Sequence, residues 1–278
     1  MKVLKIISAI CLFAVLSACA SGDISTRRTE AYSIAYKAGF SPFKLRSQLF
    51  GFNGFYKQGK ESRYPVVYIE GDGFAWIDRY TISPNPTPRN PLALKLAVQD
   101  SGTTIFYLAR PCQYVDLKKE PYCKNAYWTN ARFAAEVIDS FDQAFTLIKK
   151  KTKNEGFHLV GFSGGGAIAT LLAAKRTDIK SIRTIAGNLD HVSLNAYRKV
   201  SALNGSLNPM NIVGDIQAIP QIHYSGSEDK VVPQWIATNF LRKANNANCM
   251  STHLVSGAAH MQGWEEAWSL LHRQYPEC

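Results

Sequence analysis

Ser163 stands in Gly161-Phe162-Ser163-Gly164-Gly165, after the apolar pair Leu159-Val160 and ahead of Gly166-Ala167-Ile168-Ala169-Thr170-Leu171-Leu172. This is G-x-S-x-G with a strand expected before it and a helix after it, the setting in which the motif lifts a serine hydroxyl onto a sharp turn. Small residues must flank such a turn, and the helix N-terminus behind it offers N–H groups to developing negative charge. A serine hydroxyl is a poor nucleophile unless a base takes its proton and an acid orients that base. Both residue types occur downstream in loops. Asp229 stands in G-x-x-D-x-x-V-P, Gly226 to Pro233, with Glu228 as the neighbouring carboxylate; spacing favours Asp229. His260 lies in "THLVSGAAHMQGW", just past an expected strand. The other histidines fit the base less well. His158, His223 and His253 fall within or at the start of strands, His272 in the last helix, and His191 in the polar insertion, where a solvated position is expected ahead of a substrate-facing one.

Three other readings of the glycine run compete: a phosphate-binding loop, a dinucleotide site and a plain packing turn, and the rest of the chain decides among them. A phosphate-binding loop needs Lys-Ser or Lys-Thr after the glycines, where Ala167-Ile168 stands. Gly164 to Ala169 can be read as GxGxxA, but the next expected strand does not end in the acid that a dinucleotide site requires.

The elements that must position these residues are legible in the hydropathy pattern. "FKLRSQLFGFNGFYK" alternates around Gly54 as an antiparallel edge pair does. "PVVYIEGDG", "TTIFYLARP", "GFHLVGFS", "SIRTIAG", "PQIHYSG" and "THLVSG" read as strands, the first ending in the glycine turn Gly71-Asp72-Gly73. Helices are expected near Leu92–Val98, over the long periodic stretch from Ala131 to Lys151, over residues 164–176 and 233–246, and near 265–275. Apolar strands alternating with helices from Pro65 onward imply a mostly parallel sheet covered on both faces. Asn188 to Asp215 breaks the rhythm and is long for a connection, so a lid or substrate-facing insertion is expected there.

The chain has 278 residues, 46% of them hydrophobic, and a net charge of +11, or +9 without Lys2 and Lys5. The cations are scattered apart from Lys149-Lys150-Lys151 and Lys153, which suit a helix C-terminus. No basic stripe interleaved with aromatics points to nucleic acid; the charge favours anionic surfaces or substrates weakly. Lys2 and Lys5 precede an apolar run, Ile6 to Leu16, too short to span a bilayer and suited to a secretory signal. Of six cysteines, Cys112, Cys123, Cys249 and Cys278 remain after Cys11 and Cys19, and four allow three disulfide connectivities. The pairs expected are Cys112 with Cys123 and Cys249 with Cys278. There is no CxxC and no paired histidine, so no metal site is expected.

Leu16-Ser17-Ala18-Cys19 resembles the lipobox of bacterial lipoproteins. That resemblance implies a signal over residues 1–18, a lipid on Cys19, and a tether with a short helix over 19–38. With Ala20 rather than Asp after the cysteine, it points to the outer membrane facing the periplasm.

From about Pro65 onward the ordered set of glycine turn, G-x-S-x-G, acid loop and histidine loop resembles the α/β-hydrolase family. The resemblance implies a hydrolase domain over 39–278, with a mostly parallel sheet flanked by helices and a short insertion after the sixth strand. Ser163 would be the nucleophile, His260 the base and Asp229 its orienting acid. The family's oxyanion turn usually reads His-Gly-x-Gly; here Glu70 replaces the histidine, and the backbone N–H of Asp72, with Gly73 next, would pair with that of Gly164. No metal or organic cofactor is implied. A small-molecule acyl substrate is, with the bond an ester, thioester or amide; family peptidases often carry a large extra domain for which the chain has no room, and the insertion is too polar for a lipase lid, so a small soluble or amphipathic ester is expected. The alternative is a catalytically inactive scaffold of the same fold serving as a binding lipoprotein.

Overall fold

A computed structural model describes residues 23–101 and 103–278. Helix α1, Ile24–Lys37, leads into strands β1, Ser41–Arg46, and β2, Gly51–Lys57. Then follow β3, Glu61–Ile69; α2, Leu92–Ala97; β4, Thr103–Leu108; α3, Ala135–Thr152; and β5, Phe157–Phe162. The second half runs through α4, Gly164–Ala173; β6, Ile179–Ile185; α5, His191–Arg198; α6, Val213–Ile216; β7, Gln221–Gly226; α7, Trp235–Lys243; β8, Met250–Val255; and α8, Trp264–Leu271.

The eight strands form one sheet in the order β1-β2-β4-β3-β5-β6-β7-β8. β1 and β2 pair antiparallel, β2 joins β4 antiparallel, and every later pairing is parallel. Successive residues of the central strands feed opposite cores, which explains why those strands read as continuous apolar runs. Val67 and Ile69 of β3 and Phe106 and Leu108 of β4 enter a cluster with Phe141 of α3, Ile168 of α4 and Phe240 of α7. Val66, Tyr68, Ile105 and Tyr107 enter the other, with Ala31 of α1, Leu94 of α2 and Trp268 of α8. The sheet is thus the middle of three layers.

Three local findings refine or correct the expectations. The expected antiparallel edge pair is β1 and β2, turned at Ser47 to Phe50, where Ser47 N–H donates to Phe50 O at 2.9 Å. Gly54 lies inside β2, where a Cβ would come within 2.6 Å of the Phe43 ring. α1 is fourteen residues long, with Ala31 and Ala35 fully buried, so it is longer than a short helix and packs into the core. His191 begins α5 and is buried beside Phe133, not solvated. Lys149, Lys150 and Lys151 do lie in the last turn of α3, and Lys149 pairs with Asp178 at 2.7 Å.

The insertion after β6 carries α5 and α6. It is tied to the rest by Leu207 N–H on Phe133 O and by Arg198 Nη1 on Val231 O, both at 3.0 Å. Cys112 is bonded to Cys123 and Cys249 to Cys278, the expected pairing. Residues 1–18, Cys19 and the start of the tether lie outside the described residues. Among the described residues no helix is long and apolar enough to cross a membrane.

Candidate active site

Ser163 occupies the turn between β5 and α4 with φ 51° and ψ −116°, a left-handed backbone that non-glycine residues rarely adopt. The turn holds it there. Ser163 N–H donates to Ile185 O at the end of β6, and Ser163 O accepts from the N–H groups of Gly166 and Asn188. The flanking glycines are steric necessities. A Cβ on Gly161 would meet Gly165 O at 2.3 Å, and one on Gly165 would meet Ile69 O at 2.2 Å.

Three parallel strands bring the other two side chains to the same end of the sheet. Asp229 follows β7 and His260 follows β8. His260 Nε2 lies 3.0 Å from Ser163 Oγ, and its Nδ1 lies 2.9 Å from Asp229 Oδ2. The second carboxylate oxygen, Oδ1, accepts from the N–H groups of Val231 and Val232 at 2.7 and 2.8 Å. Those two donors, with a fully buried side chain, fix the carboxylate in one pose. Glu228 is exposed, which decides between the two acids. The two loops are also stitched together. Glu228 N–H donates to Ala258 O at 2.9 Å and Gly257 N–H to Ser227 Oγ at 2.9 Å, while the indole of Trp264 donates to Ala259 O. Phe162 packs against the imidazole with 5.3 Å between ring centroids.

The remaining histidines are occupied elsewhere or point away. His158 bonds Ser181 and His223 bonds Thr184 inside the sheet, and burial drives their pKa values down to about 4 and about 3. His272 bonds Trp268 O, and His253 is an exposed residue beside Tyr224.

The glycine turn after β3 lies against the nucleophile turn, where a Cβ on Gly71 would come within 3.0 Å of the Phe162 ring. Gly73 has φ 68°, and a Cβ there would sit 2.1 Å from Pro86 O. The Asp72 carboxylate lies over Gly164, where a Cβ would come within 2.1 Å of its Oδ1. Among the described residues, neither Asp72 N–H nor Gly164 N–H has an intramolecular acceptor.

Several residues missed in the sequence hold this turn. Arg110, just past β4, donates to Asp72 Oδ1 at 3.0 Å, and Arg132 donates to Oδ2. Burial pushes the Asp72 carboxyl up, but the two guanidiniums outweigh it and hold the group below the usual carboxylate range. Gln113 bridges Gly71 O at 3.0 Å and Arg110 N–H at 3.0 Å. Glu70 is buried, accepts from Gly71 N–H at 2.9 Å and the Tyr107 hydroxyl at 3.1 Å, and is raised by burial to about 7. It pins the turn where a histidine was the expected type. Arg110, a charge at the end of a buried strand, carried a signal; Arg132 carried none. Among the described residues no group of three or more His, Cys, Asp or Glu side chains is placed to hold a metal ion.

The serine turn, the two-step hydrogen-bonded file and the free N–H groups beside it recur in known proteins of one kind. Residues 92–261 match the family model described as serine hydrolase (FSH1). The chain belongs to that serine hydrolase family. The matched segment takes in Ser163, Asp229 and His260 but stops short of Asp72. Solved structures with the same fold include an α-β serine hydrolase homologue from Coxiella burnetii, 14% identical, TM-score 0.58, covering 82% of this chain and 95% of its own. Est1E from Butyrivibrio proteoclasticus is 12% identical, TM-score 0.58, with coverage of 83% and 97%. The α/β hydrolase GrgF from Penicillium sp. sh18 is 14% identical, TM-score 0.60, with coverage of 84% and 96%. These likenesses confirm the α/β-hydrolase fold of the serine hydrolase. No curated protein matches the chain.

Proposed function

We propose that the hydrolase cleaves an ester of a small soluble or amphipathic substrate through an acyl-enzyme on Ser163. The observation that carries this reading is the file Ser163 Oγ, His260 Nε2, His260 Nδ1, Asp229 Oδ2, with steps of 3.0 and 2.9 Å. Ser163 Oγ attacks the acyl carbonyl while its proton passes to His260 Nε2. Asp229 holds the imidazole by Nδ1–H and stabilises the imidazolium. The carbonyl oxygen becomes an oxyanion and accepts from the N–H groups of Gly164 and Asp72. The carbonyl re-forms, the carbon–oxygen bond to the leaving alkoxide breaks, and His260 returns its proton to that oxygen. Water then repeats the sequence on the acyl-serine, releasing the acid and restoring Ser163.

An amphipathic substrate is supported by apolar side chains exposed on the same loops. Met261 adjoins His260, Val231 lies in the Asp229 loop, and Ile77 and Tyr80 follow the Asp72 turn. A fluorophosphonate probe tests the nucleophile: labelling is expected at Ser163, and none on well-folded protein defeats the reading. A panel of neutral acyl esters, thioesters and aminoacyl amides reads the bond class, with esters turned over fastest.

The lipobox-like Leu16-Ser17-Ala18-Cys19 supports a lipid anchor on Cys19 that keeps the domain at the periplasmic face of the outer membrane. A labelled fatty acid should enter the wild-type chain and not C19S; its absence from both overturns the anchor.

A further inference from the structure

We propose that Arg110 and Arg132 are positioning residues that convert the charge beside the oxyanion from negative to positive, making the Asp72 turn usable as an oxyanion donor. The inference rests on the acyl-enzyme reading above and deepens it. The Asp72 carboxylate lies against Gly164, whose N–H is one donor, while Asp72's own backbone supplies the other. A lone carboxylate there would stand within a few ångströms of the oxygen that turns negative in the transition state. Repulsion between like charges at that range, in a partly dehydrated site, opposes the step that the N–H groups favour.

The two guanidiniums answer this from different elements. Arg110 extends from the end of β4, its side chain 5% exposed, and binds Oδ1 at 3.0 Å. Its other end donates to Arg132 O, and the guanidinium lies over the Phe133 ring at 5.4 Å. Arg132 comes from the loop before α3, is 14% exposed, and binds Oδ2 while its Nε holds Thr129 O at 2.7 Å. One carboxylate between two permanent cations leaves the cluster at a net charge of +1. Both cations are nearly dehydrated, so salt screens them little. The same bonds fix where the Asp72 backbone N–H points, because both carboxylate oxygens are held.

Charge and tether are separable by restoring one without the other. The assay is steady-state hydrolysis of a short neutral p-nitrophenyl ester, with fluorophosphonate labelling of Ser163 on every variant. Arg132→Gln takes the cluster to zero charge and is expected to lower kcat about 10–50-fold with KM within about 2-fold, since the loss falls on the transition state. Arg132→Lys, which keeps the charge and shortens the fork, should lose less than about 5-fold. The double variant Asp72→Asn with Arg132→Gln returns the cluster to +1 and should recover most of the R132Q loss. A cluster that acted only as a mechanical tether would leave the double variant as slow as R132Q or slower. That result overturns the proposal, as does a kcat for R132Q within about 2-fold of wild type. R132K as slow as R132Q on folded, labelled protein overturns it too. Loss of Ser163 labelling in the wild type would instead defeat the acyl-enzyme reading.

Discussion

The two sides of the proposed active site are built by different means. The nucleophile side is made from backbone: strained Ser163, two sterically required glycines, and a carboxylate held by two neighbouring N–H groups in its own loop. The oxyanion side is made from side chains that arrive from far away. Asp72 is held by residues 38 and 60 positions along the chain, and Glu70 by Tyr107, 37 positions away. The first kind of site survives as a local motif; the second exists only once the domain has folded. The family match, which runs over 92–261, covers the first side and not the Asp72 turn.

This contrast can be broken most sharply on the nucleophile side. S163A and H260A should each lower kcat by about 10⁴–10⁶-fold, and the double variant should be little worse than either, because the pair acts as one unit. Additive losses in steady-state kinetics would show that the two do not. D229N comes next, with a loss of about 10³–10⁴-fold, since an amide in place of the acceptor favours the wrong imidazole tautomer. Its melting temperature should stay close to wild type, separating tautomer from fold.

On the oxyanion side the sharper readout is stability against pH. The Glu70 carboxyl is raised from 4.5 to about 7 by burial, so between those values the folded chain holds a proton that the unfolded chain has lost. The stabilisation is therefore complete below about pH 4.5 and disappears as pH rises through about 7, an effect on the order of 3 kcal/mol at most. His158 and His223 act in the opposite sense, losing stability as pH falls below 6.5, because burial disfavours their charged forms. The difference in unfolding free energy between wild type and E70Q isolates the carboxyl. It should change by up to about 3 kcal/mol from pH 4.5 to 8, in favour of E70Q at the high end. A flat difference would mean that Glu70 does not titrate in this range. The smallest effect expected is from C112A/C123A, about 2–3 kcal/mol in chemical denaturation, because the bond closes a loop with a sequence separation of only 11. Gln113 sits in that loop, so kcat should fall with stability if the loop supports the turn.

The same contrast explains what the amino-acid sequence disclosed. G-x-S-x-G, Asp229 and His260 each lie just past a strand, the first two past buried strands and His260 past the edge strand β8, and strand order brings them together. The cysteine pairing was only one of three connectivities that the sequence allows; the fold brings Cys112 to Cys123 and Cys249 to Cys278. Arg132 was not, since its partner is 60 residues away and nothing near it in the sequence sets it apart from other surface cations. The antiparallel edge pair was legible from its alternation, but not the reason for Gly54, whose absent side chain makes room for Tyr107 O and the Phe43 ring. His191 was assigned to solvent from the polar residues around it, yet tertiary packing buries it against Phe133.

The bond between Cys249 and Cys278 has a topological consequence. It closes a covalent ring around β8, the His260 loop and α8. A protease that cuts one peptide bond anywhere between these cysteines opens the ring without releasing a fragment. The segment bearing the imidazole stays linked to the segment bearing the serine. Such a nick would be invisible on a non-reducing gel and would appear as a small lost band only after reduction. Where the cut falls between Cys249 and His260, reductant would then turn a silent cleavage into the departure of the proposed base.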